Sequence, residues 1–295
     1  MPEDDAPTPV LPSNRLAREK MKEFSGTGTI GMDPLPELRK VWASKTSSEL
    51  YEDVLQGLRA IPNTTWRTGA VKILRSPEAS YCLVMQLGLT CKGHQEPMLA
   101  VKTWTHAWLT SLILAYLNSL AAEAGFQTPL SGTSLRVTKN HEAHWHQHDD
   151  NTGLQYMTTL GDFAGGETFI VEEEGQEVME LKQAVEGLGL AGQKIRGQRK
   201  DARRRIITFH GRKLHCTCPF LDTDERYAIT LFSCSNKGLE RTSTLTLALL
   251  NELGFVSSEP AGQRPALRPQ LQKAVAKAAS GFKVNGGENY RAREC

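Results

Sequence analysis

The hydrophobic period of this chain changes near Gly125, and that change constrains the fold more than any single motif. Before it, Leu38, Val41, Trp42, Leu50, Val54, Leu55 and Leu58 recur at helical spacing within residues 34–60. Trp104, Trp108, Leu112, Leu114, Ala115, Leu117 and Leu120 do the same over residues 103–124, and Gly125 supplies a stop. After it the pattern is one of short strands, at residues 135–137, 154–160, 168–172, 205–209, 213–217 and 226–232, with Gly and Asp at the turns between them. Residues 71–74 and 81–87 predict an earlier hairpin around Ser76-Pro77-Glu78, and residues 243–253 a closing helix. Helices first and many short strands later predict an α+β fold, a sandwich or barrel buttressed by N-terminal helices.

Length and charge bound the organisation. A chain of 295 residues buries a full core, and its size fits one domain over residues 26–256 with decorated ends. Residues 1–25, Pro-rich and poor in apolar side chains, predict a disordered segment, and residues 257–295 a basic, partly disordered tail. The net charge of +2 supplies no global field for nucleic acid. The start has no basic region followed by an apolar run, and the six cysteines form no disulfide scaffold, so an intracellular protein, cytoplasmic or nuclear and not secreted, is expected. The most apolar helical stretch is broken by Thr110, Ser111, Asn118 and Ser119, which argues against a membrane span.

Within the strand half lies His144-Trp145-His146-Gln147-His148-Asp149-Asp150, a crowd of imidazoles and carboxylates. Strand side chains alternate with a period of two, so His148 and Asp150 share a face. With a distant His215 they would make the 2-His-1-carboxylate set that leaves the opposite side of an Fe(II) open. A second register uses His146, with help from His148 or Asp149; the carboxylate, whose charge helps hold Fe(II), favours the first. Trp145 either stacks on a planar ligand or packs in the fold. Cys216-x-Cys218 lacks the paired spacing of common zinc sites.

Taken in order, His148-x-Asp150, Gly161-Asp162-Phe163-Ala164-Gly165-Gly166-Glu167, Phe209-His210-Gly211-Arg212-Lys213-Leu214-His215 and Arg226-Tyr227-Ala228-Ile229-Thr230 resemble the 2-oxoglutarate and Fe(II)-dependent dioxygenases. The likeness spans about residues 130–235 and is nearest to a branch that includes the thymine-hydroxylating base-J dioxygenases. It implies a double-stranded β-helix (jelly-roll) core with iron on His148, Asp150 and His215. Arg226, eleven residues after His215, would bind the far carboxylate of 2-oxoglutarate, because its planar fork of donors matches a carboxylate and stays charged when buried. The implied reaction consumes O₂ and 2-oxoglutarate, hydroxylates an unknown substrate and releases succinate. Alternation from Arg226 puts Thr230 on the same face, where its hydroxyl would reach that carboxylate, and Tyr156 is expected to line the opposite sheet. One departure stands: in the branch an Asn-x-Gly follows five residues after the proximal His, and Asn151-Thr152-Gly153 in that register points to His146.

Two other readings stay open. A cupin-like metal protein without this chemistry would use His146-x-His148, although Thr152 and Gly153 occupy the positions where cupins place Glu. A nucleic-acid-binding module with a degenerate dioxygenase fold would use the basic residues 194–205 and the tail. The blander reading of residues 194–205 is a solvent loop neutralised by Glu172, Glu173, Glu174, Glu177 and Glu180. Nucleic acid therefore remains one candidate substrate, and a membrane is not a partner.

Overall fold

Thr46 starts the helical layer. Its hydroxyl accepts from the Glu49 N–H at 3.3 Å while the Glu49 carboxylate accepts from the Thr46 N–H at 2.8 Å, a reciprocal cap that satisfies two otherwise unpaired donors. The helix it caps, α2 (Ser47–Arg59), follows α1 (Leu35–Ala43), and both bury Leu and aromatic side chains against the central helix of the layer. The computed structural model describes residues 35–68, 83–90, 97–148, 151–182, 184–185, 189–221, 225–234 and 239–257. The expectations for residues 1–25, for the 71–74 arm of the hairpin, for Asp149 and Asp150, and for the tail from residue 258 onward lie outside them.

The single helix expected over residues 103–124 is two: α3 (Val101–Thr105) and α4 (Ala107–Glu123). His106 between them has φ −132° and ψ 39°, which no helix accommodates. Thr103 supplies the reason. Its hydroxyl accepts from the Gly88 N–H at 2.8 Å, which ties α3 to the strand that holds Gly88, while α4 packs against α1 and α2. Among the described residues no helix is long and apolar enough to cross a membrane.

The strands are β1 (Arg67–Thr68), β2 (Leu83–Thr90), β3 (Met98–Leu99), β4 (Ser134–Lys139), β5 (Asn151–Asp162), β6 (Thr168–Val171), β7 (Glu177–Glu180), β8 (Lys194–Lys200), β9 (Ile207–His210), β10 (His215–Thr217) and β11 (Glu225–Cys234), with α5 (Thr244–Leu253) after them. They form two antiparallel sheets. The larger runs β1-β2-β4-β11-β5-β9 with β3 beside β2, and the smaller β10-β6-β8-β7. The fold is thus α+β with a jelly-roll core and a few buttressing helices. Alternation decides which side chains see what. On β4 and β11, Leu135, Val137, Tyr227, Ile229 and Leu231 bury against the helices, as Leu109, Leu112, Ile113 and Leu117 of α4 do from the other side. The opposite face of the same strands presents Arg136, Thr138, Arg226, Ala228, Thr230 and Phe232 to a cavity of about 600 Å³ between the sheets. Met157, Ile170, Ala202, Ile207, Phe209 and Ala228 make a second, smaller core where the sheets meet.

The basic segment is a strand rather than a solvent loop over residues 194–200. β8 pairs with both β6 and β7, opposing Glu180 to Lys194 and Glu177 to Gly197, and Arg199 meets Glu177 at 3.2 Å. Gly197 makes this register close-fitting, because a Cβ there would lie 2.3 Å from the Ile170 carbonyl and 2.5 Å from the Phe169 ring. The acidic and basic runs thus meet across this ladder through Glu177 and Arg199, with side chains that remain largely exposed.

Candidate metal centre

His146 lies directly opposite His215 on the edge of the smaller sheet. Each backbone N–H donates to the other's carbonyl at 3.0 Å, and Thr217 N–H donates to Ala143 at 2.9 Å, so residues 143–146 extend the sheet beside β10. In a pair that exchanges both hydrogen bonds the two side chains emerge on one face. His148, two residues on, shares that face and is fastened by its N–H to the Gly211 carbonyl at 2.8 Å. The ring centroids of His146 and His215 are 4.2 Å apart, those of His146 and His148 4.9 Å, and those of His148 and His215 5.4 Å. One nitrogen from each lies within 4.8 Å of the others.

Hydrogen bonding fixes two of the tautomers. Nδ1 of His146 donates to the His144 carbonyl at 2.6 Å and Nδ1 of His215 to the Lys213 carbonyl at 2.7 Å, since a carbonyl can only accept. Each ring therefore keeps an Nε2 lone pair free, oriented by a carbonyl two residues back, which is how metal-ligating histidines are held. Burial keeps the rings neutral. It pushes His215 down to about 3 and His148 to about 4, with His146 and Arg136 adding to the effect at His148, and it lowers His146 as well. A trio of neutral nitrogen donors on one face suits a divalent metal such as iron, and the open side of the trio is the cavity.

The same shifts set a pH dependence. A histidine whose folded pKa lies below its ordinary value binds fewer protons folded than unfolded, so stability is full above about pH 6.5 and falls as pH drops toward the folded values near 4 and 3. The melting temperature of the metal-free protein is expected to fall steadily between pH 6.5 and 4. His215→Gln should flatten that slope in a scanning-fluorimetry series, whereas an equal slope in the variant would assign the acid sensitivity elsewhere.

Arg226 also lines the cavity, 1% exposed, among the largest fully buried side chains. Its guanidinium lies 5.5 Å from the Phe163 ring and 5.3 Å from Phe220, and donates to the carbonyls of Gly166 at 2.9 Å and His141 at 3.4 Å. Burial brings its pKa down to about 10, against the pull of Glu142, so it remains a cation at neutral pH. Its Nε is buried with no hydrogen-bond partner among the described residues. Gly166 makes room for it: a Cβ there would sit 2.8 Å from that Nε, on backbone with φ +72°. Gly166→Ala is expected to displace the guanidinium and destabilise the fold by about 1–2 kcal/mol. Thermal unfolding checks it, an unchanged melting temperature counting against this role for the glycine.

Of the residues singled out from sequence, His148 and His215 meet, and Arg226 and Thr230 line the cavity. Asp150 lies outside the described residues. Tyr156 is on the other face of β5, packed edge-on against Phe126 at 6.3 Å beside the helical core, because alternation gives the cavity face to Gln155 and Met157. Trp145 packs edge-on against Phe169 at 5.7 Å. Sequence reasoning missed Arg136 and Gln155. Arg136 was legible as the polar residue between Leu135 and Val137, the inward position of an otherwise apolar strand.

No family model and no curated protein matches the chain. Several solved structures align with part of it. A 2OG-Fe(II) oxygenase family oxidoreductase from Burkholderia pseudomallei aligns over 60% of this chain and 77% of its own, at 12% identity and a TM-score of 0.39. A prolyl hydroxylase from Trichoplax adhaerens, in complex with a hypoxia inducible factor oxygen degradation domain peptide fragment, aligns over 67% and 82% at 15% identity and 0.38. A prolyl-4-hydroxylase from Pseudomonas putida aligns over 64% and 88% at 9% identity and 0.33.

Proposed function

We propose that this chain is an Fe(II)- and 2-oxoglutarate-dependent dioxygenase that hydroxylates its substrate in the cavity between the two sheets. The observation that supports it most is the convergence of His146, His148 and His215 on one wall of the cavity that Arg226 also lines. His148 and His215 are the ligands expected from sequence, and His146 is proposed as the third in place of Asp150, because it is register-paired with His215 and already presents a free Nε2. Bound there, iron would supply O₂ activation coupled to decarboxylation of the keto acid.

The chain's own residues do the rest. The Nδ1–H bonds of His146 and His215 hold the rings in one orientation, so little rearrangement accompanies metal binding. Arg226 receives the far carboxylate of 2-oxoglutarate with its unpartnered Nε, and Thr230 lines the same cavity from the same face of β11. The surrounding core of Met157, Phe209 and Ala228 excludes bulk water from the reacting end. The test is O₂-dependent conversion of 2-oxoglutarate to succinate by the iron-loaded protein. Uncoupled turnover above a metal-free control is expected even without the substrate, and its absence from iron-loaded wild type would count against the reading.

The histidine-only trio also favours a second reading, a cupin-like metal protein that does not use 2-oxoglutarate. That protein would bind metal with the same three histidines, and its metal affinity would not respond to Arg226→Met or to added 2-oxoglutarate.

A further inference from the structure

On β5 the cavity face carries Gln155 and Met157, and Gln155 is 1% exposed. Its place is fixed from both sides. On one side it is register-paired with Phe209 of β9, whose ring lies 4.8 Å from that of His215. On the other, Leu231 of β11 pairs with Tyr156 and Ser233 with Thr152, so a bulge sets Phe232 alone against residues 153–155. Bulges re-aim side chains and gather beside functional sites. The amide rests on Gly211, where a Cβ would overlap its Nε2, and the Gly211 carbonyl is the one that accepts the His148 N–H at 2.8 Å. Strand pairing and backbone hydrogen bonding thus put Gln155 beside the imidazole face. Arg226 is elsewhere: it is paired with Gly161, six residues further along β5, about 20 Å away at the ordinary strand rise.

The Nε2 of Gln155 is buried with no hydrogen-bond partner among the described residues. A buried donor left unmatched destabilises a fold, and nearly all such groups in folded proteins are paired. Here the chain keeps an amide where leucine would serve packing better, and keeps a glycine at residue 211 that leaves space for it. The fold gains nothing from this donor, whereas a bound molecule that brings an acceptor does. The register neighbours Met157, Phe209 and Phe232 carry no charge, and an anion buried among them without a cation costs more than one hydrogen bond returns. An uncharged carbonyl meets the donor without that penalty.

We infer that Gln155 is a substrate-binding residue whose amide donates a hydrogen bond to an uncharged carbonyl oxygen, that of an amide or lactam, and so holds the substrate against the imidazole face of the cavity. The inference rests on the dioxygenase reading for the identity of the keto acid bound beside it, and deepens that reading by giving the substrate's chemical class. A site built around such a donor rejects a molecule of equal shape that lacks the acceptor, because the amide is then left unmatched.

The experiment is a ligand-observed NMR titration of the full chain, loaded with Zn(II) and 2-oxoglutarate, with benzamide, benzoate and toluene, planar probes that differ in the group offered to the donor. Benzamide is expected to bind more tightly than either of the others. Gln155→Leu should weaken benzamide about fivefold or more and leave toluene unchanged or tighter. Affinity for 2-oxoglutarate should stay within about twofold, since its anchor is remote. The free Gln155→Leu protein should melt at or above the wild-type temperature, because leucine removes an unmatched donor with little change of volume. A lower melting temperature with unchanged benzamide affinity would overturn the inference by making Gln155 a packing residue. Tighter binding of benzoate than of benzamide would overturn the uncharged class, and a wild type that binds no benzamide would overturn the site itself. An equal loss of 2-oxoglutarate in Gln155→Leu would overturn it by assigning the amide to the keto acid. If wild type binds benzamide through Gln155 but does not bind 2-oxoglutarate, the dioxygenase reading falls and the donor site stands.

Discussion

His215→Ala is expected to abolish metal binding, lowering affinity by more than about 100-fold, since loss of a mere outer partner of a metal ligand already costs about 10–100-fold. The size of the effect follows from its place at the centre of the trio. His215 is paired by both backbone hydrogen bonds to His146, and its ring is flanked by those of His146, His148 and Phe209. The backbone ladder does not need the imidazole, so the sheet should survive and the variant should remain folded by circular dichroism. Retained metal is read by elemental analysis after dialysis against a weak chelator, and near-stoichiometric metal in the folded variant would exclude His215 as a ligand.

Arg226→Met carries the second large effect. Removing one partner of a buried charge-assisted pair costs about 2–5 kcal/mol of binding, so 2-oxoglutarate affinity is expected to fall on the order of 100-fold. Stability should change far less. The variant loses hydrogen bonds to Gly166 and His141 but also loses a fully desolvated cation, and methionine fills similar space between Phe163 and Phe220. An unfolding free energy within about 2 kcal/mol of wild type, alongside lost keto-acid binding, separates a ligand-binding role from a packing role. A large loss of stability with unchanged 2-oxoglutarate affinity would assign the arginine to the core.

The architecture was legible because it follows from period. The switch near Gly125 from 3.6 to 2 placed helices before strands, and strands were expected at residues 135–137, 154–160, 168–172 and 226–232, where β4, β5, β6 and β11 form. The break at His106 was not legible, because it depends on Thr103 reaching Gly88 on another element. Nor was β8: its run of cations reads as loop, and only the close approach of Gly197 to β6 shows why it pairs. His148, His215 and Arg226, singled out from order and spacing, line one cavity. Tyr156 was placed on the wrong face because a two-residue period gives alternation but not phase, and phase is set by which side of β5 the helices cover. The choice between His146 and Asp150 turns on strand register opposite β10, which spacing along one strand cannot supply.

That choice is open to one direct measurement. Fe(II) and 2-oxoglutarate together, added anaerobically, produce a metal-to-ligand charge-transfer band only when the keto acid chelates an iron held by the protein. We expect the band in wild type and in Asp150→Ala, and its loss in His146→Ala, His148→Ala and His215→Ala. A band that survives His146→Ala and disappears in Asp150→Ala would contradict the three-histidine centre, and no band in wild type would contradict the dioxygenase account as a whole.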